Sequence, residues 1–258
     1  MTTVLAPVYF EAPLVAPTSP GLYGATNWTE EDGPLRWLDG GVQVRPHNYG
    51  GESAVGRWQA SWCAGVADLT ETDLKTGVRP AIPDPFEAIT VWAYDECDLT
   101  APSRDEVRTR AAQNLRLMEQ PMVEQAVATR LLADAGAPAP AADLVEAVGT
   151  LEAAMSLTCT QGYIHASAGL AATAQRFGLI RSSGGVMVTP LGHRWVFGGG
   201  YVEALGDTLV ATSPTFGWRS ATTVRETIKA EYNEFVAIAE RAVLVGYEKC
   251  VAAATITP

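Results

Sequence analysis

Charged residues are scarce in this chain. Asp, Glu, Lys and Arg make up 18% of its 258 residues, against roughly 25% in an ordinary soluble domain. Hydrophobic residues make up 47%, so the chain has little polar surface with which to be solvated as a free monomer. This shortage of charge indicates that much of the surface meets other protein.

Basic residues are scarcer than acidic residues in this chain. The chain has 18 Lys and Arg against 29 Asp and Glu, which gives a formal net charge of −11. Because affinity for DNA comes largely from basic side chains that neutralise phosphates, this acidic chain is a poor candidate for a DNA-binding module. The charge suits a wall that encloses nucleic acid without binding it, although composition by itself is also typical of an ordinary acidic protein.

Metal-binding and redox residues are few and scattered. No two cysteines have the C-x-x-C spacing, which speaks against a zinc cluster and a disulfide scaffold. We expect reduced, buried thiols and no metal site. The cysteines are Cys63, Cys97, Cys159 and Cys250, and the histidines are His47, His165 and His193.

Membrane and export signals are also missing from the sequence. Gly, Pro and polar residues interrupt every apolar run before it reaches the roughly 18 residues of a membrane helix. The first residues, MTTVLAPVYFEAPLVAP, have no basic segment and are broken by prolines, unlike a secretory signal. We therefore expect a protein of a reducing, cytoplasm-like setting with no membrane partner.

No catalytic or cofactor-binding motif stands out. His165 lies near Ser167 and Cys159 in the sequence, but no third residue points to a base-activated nucleophile, and we interpret them as packing residues. Gly198–Gly200 lacks the lysine of a phosphate-binding loop. Three tryptophans lack the interleaved basic residues of a single-strand binding surface; they are Trp58, Trp62 and Trp92.

Residues 1–41 combine many prolines and glycines with apolar and aromatic side chains. Proline disfavours helices and central strands, whereas disordered tails are poor in aromatics. The combination predicts an extended arm laid across a neighbouring subunit. The alternative is an arm folded back on its own domain.

Residues 42–100 have two strand-like runs on either side of a polar tip, Thr70–Gly77. Arg57–Trp62 alternates between polar and apolar residues, and Ile89–Tyr94 is rich in residues that favour strands. The pattern predicts a long antiparallel β-hairpin.

A long helix is predicted over Ser103–Ala135. Ser103 and Glu106 have the spacing of a capping box, and Pro121 is expected to end or kink the helix. One face is apolar; its residues are Val107, Ala111, Leu115 and Met118. The rest predicts a mixed α+β region from 141 to about 215, and then C-terminal strands (216–258) that pair to close a sheet.

The order of these parts resembles the major capsid proteins of tailed bacteriophages, with the Hong Kong phage-type shell fold, and local phrases resemble those of actinobacterial phages. The phrases are Phe86–Glu87 with Tyr94–Cys97, Leu115 with Glu119–Glu124, Gly162–Ala166, Thr189–Gly192 before Gly198–Tyr201, Asn233–Arg241, and Cys250–Ala253. Each phrase alone is weak, and their order carries the resemblance across nearly the whole chain.

The resemblance implies an arm (1–41), an extended loop (42–100), a peripheral domain with a spine helix (101–140), an axial domain (141–215) and C-terminal peripheral strands (216–258). It implies self-assembly into hexamers and pentamers of an icosahedral shell around double-stranded DNA. The protein would belong to the virion and be assembled in the host cytoplasm. Scaffolding, protease, portal and decoration proteins are the further partners it suggests.

The resemblance also implies two roles for single residues. Some relatives join subunits by an isopeptide bond between Lys and Asn, assisted by Glu, which here suggests Lys75, Asn233 and Glu240. In this family the spine helix changes its bend as the procapsid expands, which suggests Pro121 as the site of the bend. No maturation protease is implied within the chain.

Three other interpretations stay open at this point. An encapsulin-like nanocompartment shares the fold but holds protein cargo, so its contents would identify it. A small soluble α+β enzyme would be a small oligomer. A tail or connector protein would be present in a dozen copies or fewer per particle.

Overall fold

The computed structural model describes residues 8–18, 20–31 and 33–257. The predicted arm therefore lies partly outside the described residues, at 1–7, 19 and 32. The helices are α1 (Leu22–Ala25), α2 (Trp37–Gly40), α3 (Ala101–Ala135), α4 (Leu144–Thr158), α5 (Ala171–Arg176) and α6 (Tyr201–Ala204). No helix in the described ranges is both long and apolar enough to cross a membrane.

The strands form two sheets. The first contains β1 (Asn27–Glu31), β2 (Ile89–Asp98), β9 (Thr215–Ser220), β10 (Thr223–Lys229) and β11 (Glu234–Tyr247). The second contains β3 (Ala139–Ala141), β4 (Tyr163–Ser167), β5 (Arg181–Ser183), β6 (Val186–Val188), β7 (Arg194–Gly198), β8 (Thr208–Thr212) and β12 (Cys250–Ile256). The α+β class is confirmed.

The long helix α3 covers the first sheet. Its buried stripe repeats every three to four residues, as expected of an amphipathic helix, and it packs on β2 and β11. The stripe includes Val107, Ala111, Leu115, Val123, Val127 and Leu131. Together with strand side chains these residues form one apolar core.

Two details of the predicted helix are wrong. It begins at Ala101 rather than Ser103, because Pro102 is tolerated in a first turn, where its missing N–H has no partner to lose. Ser103 therefore lies inside the helix, where its hydroxyl accepts from Thr100 Oγ1 at 2.9 Å. Met118 is 54% exposed, since the stripe continues from Leu115 to residue 119 instead.

The helix also continues through Pro121 to Ala135, where Gly136 ends it with a φ of 67°. Proline has no N–H to donate to the carbonyl four residues earlier. Buried side chains lie in the core both before and after this point, including Leu115 and Val123. A bend at Pro121 stays a prediction.

A second apolar core lies between α4 and the second sheet. Asp143 caps α4 by accepting from the Glu146 amide at 2.9 Å, a standard way to satisfy a free amide. The core includes Leu144, Leu151, Met155, Ile164, Trp195 and Leu209. The chain thus has two packed units that meet across the other face of the second sheet, where Val196, Val210 and Ala253 belong to the core under α3.

The predicted hairpin before β2 is not formed. Arg57–Trp62 is not a strand, and residues 43–85, here called the open loop, contain only short 3-10 turns. Its ends meet at a single bridge between Val42 and Phe86. Alternation alone does not make a strand, because a strand needs a partner for its backbone hydrogen bonds.

The C-terminal strands do not close one sheet together. β11 pairs with β2, β9 and β10 in the first sheet. β12 instead pairs with β8 and β3 in the second. The sequence of two successive β-rich runs predicts pairing between them, but the turn at 248–249 carries the chain from one sheet to the other.

Part of the predicted arm is folded on its own chain. β1 pairs in parallel with β9 at the edge of the first sheet, and Leu22 and Trp37 are buried. The alternative of an arm folded back is thus correct for residues 20–31 and 33–41. Residues 8–18, here called the outer arm, have no regular structure.

Candidate functional site

The outer arm exposes apolar side chains. Val8 is 95% exposed, Tyr9 92% and Phe10 83%. Gln113 Nε2 of α3 donates a hydrogen bond to the Val15 carbonyl of the outer arm, at 2.7 Å. A run of uncovered apolar and aromatic side chains marks a surface for contact with another protein.

The open loop has the same property. Trp62 is 96% exposed and Val66 90%. Trp58 is half-buried: its indole N–H donates to the Asp73 carbonyl at 2.9 Å, and Lys75 Nζ lies 5.0 Å from its ring centre. The loop therefore has internal contacts between Trp58 and its polar tip, whereas Trp62 and Val66, which lie between these two points in the sequence, are uncovered.

The base of the open loop is fixed to the turn between the two sheets. Glu248 accepts from the Asn48 amide and from Asn48 Nδ2, both at 2.7 Å. Although burial opposes the effect, hydrogen bonds from Asn48 and His47 keep the pKa of Glu248 below its usual value. Tyr49 also bonds Thr160 at 3.1 Å. The loop thus leaves the body in a defined direction.

Three buried polar side chains of α3, here called the arm clamp, hold residues 20–23. Glu119 accepts from the Tyr23 hydroxyl at 2.7 Å, and Gln120 Nε2 donates to the Pro20 carbonyl at 2.8 Å. Burial, followed by the nearby Glu119 charge, raises the pKa of Tyr23 far above its usual value, so its hydroxyl stays a donor. The members of the clamp are Glu119, Gln120 and Glu124.

Glu124 contacts two different segments. One carboxylate oxygen accepts from the Leu22 amide at 3.0 Å, and the other accepts from the Gly200 amide at 2.8 Å. The residue is fully buried, and this burial raises the pKa of its carboxyl despite the hydrogen bonds. The carboxyl therefore joins the arm and the second sheet at one point on α3.

Sequence reasoning missed the arm clamp as a functional feature, although the Glu119–Glu124 phrase contributed to the resemblance. A signal was present: residue 119 follows Leu115 by four positions, so a carboxylate falls on the buried stripe. Buried carboxylates need partners. The partners, however, are 76 to 102 residues away and become visible only in the fold.

The proposed cross-linking residues are not gathered within one chain. Lys75 lies in the open loop, Asn233 in the turn before β11 with a φ of 53°, and Glu240 within β11, where it pairs with Arg225 at 2.5 Å. Seven strand residues at about 3.4 Å each separate Asn233 from Glu240 by roughly 24 Å. A bond between Lys75 and Asn233 assisted by Glu240 stays a prediction that would require several copies.

His165 is a structural residue. Its ring nitrogens lie 3.1 Å from the Tyr201 hydroxyl and 2.9 Å from Thr212 Oγ1. Burial lowers its pKa to about 3, so the ring is neutral at pH 7. Ser167 accepts from the Gly169 amide at 3.2 Å and forms no hydrogen bond with His165 among the described residues. The two do not form a nucleophile and base.

The prediction of buried cysteines is wrong for three of the four, and the fourth, Cys250, is only partly buried. Cys63, Cys97 and Cys159 are exposed, and all four thiols are free. They lie in the open loop, on β2 and just after α4, positions whose exposure depends on tertiary packing rather than spacing. Within the described ranges, no group of three or more His, Cys, Asp or Glu residues could hold a metal ion.

No family model and no curated protein matches the chain. Solved structures do match over nearly its whole length. A structure of Mycobacterium phage Adephagia has a TM-score of 0.54 at 13% identity, covering 100% of this chain and 96% of the other.

Two further structures have descriptions that name a particle. "Capsid of empty GTA particle computed with C5 symmetry" has a TM-score of 0.52 at 11% identity, covering 98% of this chain and 94% of the other. "Crystal structure of virus-like particle from Pyrococcus furiosus" has a TM-score of 0.50 at 9% identity and covers 92% of both chains. The chain thus has the Hong Kong phage-type shell fold expected from the sequence.

Proposed function

We propose that the chain is the major capsid protein of a tailed bacteriophage and that copies of it assemble into the hexamers and pentamers of an icosahedral shell around double-stranded DNA. The observation that carries this proposal is the exposure of apolar side chains along the outer arm and the open loop, in a chain with a shell fold. In a shell, neighbouring copies would cover those side chains and bury their apolar surface.

The two packed units suggest how one copy would sit in such a shell. The first sheet with α3 corresponds to a peripheral domain, and the second sheet with α4 corresponds to an axial domain near the centre of each capsomer. Residues 250–256 would belong to the axial domain because β12 pairs with β8. Leu157, 82% exposed at the end of α4, would contact other copies there.

The remaining properties agree with a structural role without catalysis. A net charge of −11 suits a wall that encloses DNA without specific binding. The proposed place of the protein is the virion, after assembly in the host cytoplasm. Scaffolding, protease, portal and decoration proteins are its proposed further partners.

A nanocompartment is the second candidate. The match to the virus-like particle from Pyrococcus furiosus favours it, since that particle is not described as a phage. Contents distinguish the two: nuclease-protected DNA identifies a virus capsid, and a packaged protein identifies a nanocompartment. A small enzyme would form neither kind of particle.

Electron microscopy of the full chain, with Trp62→Ala and Trp62→Phe variants, tests the proposal. We expect closed shells from the natural chain and from Trp62→Phe, which keeps an aromatic contact, and a large loss of shells from Trp62→Ala. All three should have the same melting temperature before assembly, because Trp62 contacts little of its own chain. A natural chain that stays monomeric at high concentration, with or without co-expressed partners, would contradict the proposal.

A further inference from the structure

Glu124 lies where three segments of the chain meet. It belongs to α3 and lies three residues after Pro121. Its carboxyl accepts hydrogen bonds from the Leu22 amide of the arm at 3.0 Å and from the Gly200 amide at 2.8 Å. The segment Gly198–Gly200, here called the glycine turn, connects β7 of the second sheet to α6, whose Tyr201 packs in the core under α3. These two bonds use different oxygens of one carboxylate, so both segments depend on the position of a single side chain.

The glycines around this carboxylate allow its close contacts. A Cβ on Gly21 would lie 2.3 Å from Gln120 Nε2 and 2.5 Å from Glu124 Oε1. A Cβ on Gly200 would lie 2.1 Å from the Pro121 carbonyl oxygen. Neither position has room for a side chain without movement. The arm and the glycine turn are therefore pressed against the same turn of α3, at the residue where the helix lacks one backbone hydrogen bond.

Backbone amides donate to the Glu124 carboxyl, and the Gln120 side chain also hydrogen-bonds to it. Within the described residues no lysine or arginine forms an ion pair with it, whereas the neighbouring Glu119 has Arg241 at 3.3 Å. A fully buried carboxylate without a cation depends strongly on each amide that donates to it. If the hydrogen bond from Leu22 or the one from Gly200 is lost, the hydrogen bond that holds the other segment is therefore weakened as well.

We propose that Glu124 couples the arm to the second sheet, so that loosening either the arm base (residues 20–26) or the glycine turn loosens the other. The two segments are anchored through one carboxylate on α3. Coupling of this kind is reciprocal: a change at the arm alters the turn by the same factor as a change at the turn alters the arm. It gives the chain a built-in connection between the direction of its arm and the position of its second sheet.

This inference goes beyond the proposed function, since it concerns contacts within one chain and holds whether or not a shell forms. Within a shell it would mean that a movement of the second sheet relative to α3 reaches the arm of the same copy. The arm would then change its hold on the neighbouring copy. The glycine run, which carries no phosphate-binding pattern, acquires a role in this connection.

Hydrogen–deuterium exchange of the full chain tests the coupling. Glu124→Gln keeps the shape of the side chain but replaces one acceptor oxygen by a donor amide, so at least one of the two bonds must break. We expect exchange to rise about tenfold or more in peptides covering both 20–26 and 198–205. Glu106→Gln is the matched control, because Glu106 is an exposed carboxylate of the same helix, and it should leave both peptides unchanged.

A second variant separates coupling from two independent anchors. Gly21→Ala disturbs the arm base without touching the glycine turn directly, and we expect faster exchange at 198–205 as well as at 20–26. Gly185→Ala is its control, since that glycine also has a positive φ but open space around it. Unchanged exchange at 198–205 in Gly21→Ala would overturn the proposal, as would an effect of Glu124→Gln confined to one peptide.

A milder variant serves if Gly21→Ala fails to fold. Tyr23→Phe removes a hydrogen bond between the arm base and α3 at Glu119, not at Glu124. We expect a rise of a few-fold at 198–205. A rise confined to 20–26 would again overturn the coupling, because it would show that the turn does not respond to the arm.

Discussion

The open loop and the second sheet's unit differ in how their apolar side chains are used. In the second unit, the side chains of Leu151, Met155 and Ile164 are completely buried in one core. In the open loop, Trp62 and Val66 are at least nine-tenths exposed. The first region is stable through its own packing. The second region has apolar side chains that would be buried only by contact with other protein. Assembly into a shell therefore accounts for these exposed side chains better than a free monomer does.

The largest effect in this comparison should come from the packed unit. Leu151→Ala removes a fully buried side chain of α4 and leaves a cavity, which typically lowers the free energy of unfolding by about 2–5 kcal/mol. Chemical denaturation of the unassembled chain measures this change. Leu157→Ala, at the exposed end of the same helix, is the control and should stay within about 0.5 kcal/mol of the natural chain. A small effect of Leu151→Ala would show that the second core is loosely packed.

The next prediction concerns pH and the same unit. The pKa of His165 is about 3 in the folded chain because of burial, below its usual value of about 6.5 in the unfolded chain. The unfolded state therefore binds an additional proton below about pH 6.5. The contribution of His165 to the free energy of unfolding is therefore greatest above about pH 6.5. As the pH decreases toward 3, the free energy of unfolding falls by about 1.4 kcal/mol per pH unit because of this group.

Comparison with His165→Gln isolates that contribution from the carboxylates. The difference in free energy of unfolding between the natural chain and the variant should shrink as pH is lowered from 6 to 4. Urea denaturation at several pH values measures it. A difference that stays constant over this range would mean that His165 is protonated in the folded state or remains neutral in both.

The smallest effect is expected at the base of the open loop. Glu248→Ala removes the acceptor for the Asn48 amide and side chain, and residues 45–50 should exchange their amide hydrogens several-fold faster. Global stability should change by less than about 0.5 kcal/mol, because a loop can open without unfolding the sheets. Glu231→Ala, an exposed carboxylate in another turn, is the control. Unchanged exchange at 45–50 would indicate that the Val42–Phe86 bridge and the Tyr49–Thr160 hydrogen bond orient the loop without Glu248.

The same two regions show what sequence reasoning could and could not reach. The long helix to Ala135 and the strand that begins at Ile89 follow from local sequence patterns, since each segment has its own composition and periodicity. Arg57–Trp62 has the pattern of a strand but pairs with no strand among the described residues. The transfer of β12 to the second sheet is a matter of topology, and residue spacing contains no information about it.

The arm clamp illustrates a further limit. Glu119 and Glu124 are polar residues on a buried stripe, which the sequence does reveal. Their meaning depends on Tyr23, Leu22 and Gly200, which the fold brings from about 75 to 100 residues away. A buried carboxylate in a sequence therefore predicts that a partner exists, whereas only the structure identifies the partner.

Solvent accessibility of Trp62 and Phe10 in free chains and in assembled particles is the most direct measurement of the central claim. Hydroxyl-radical footprinting read by mass spectrometry gives the labelling of each side chain. We predict heavy labelling of both in the unassembled chain and strong protection in the particle, with Met155 protected in each state. Equal labelling of Trp62 and Phe10 in both states, or a chain that forms no particle at all, would contradict the account.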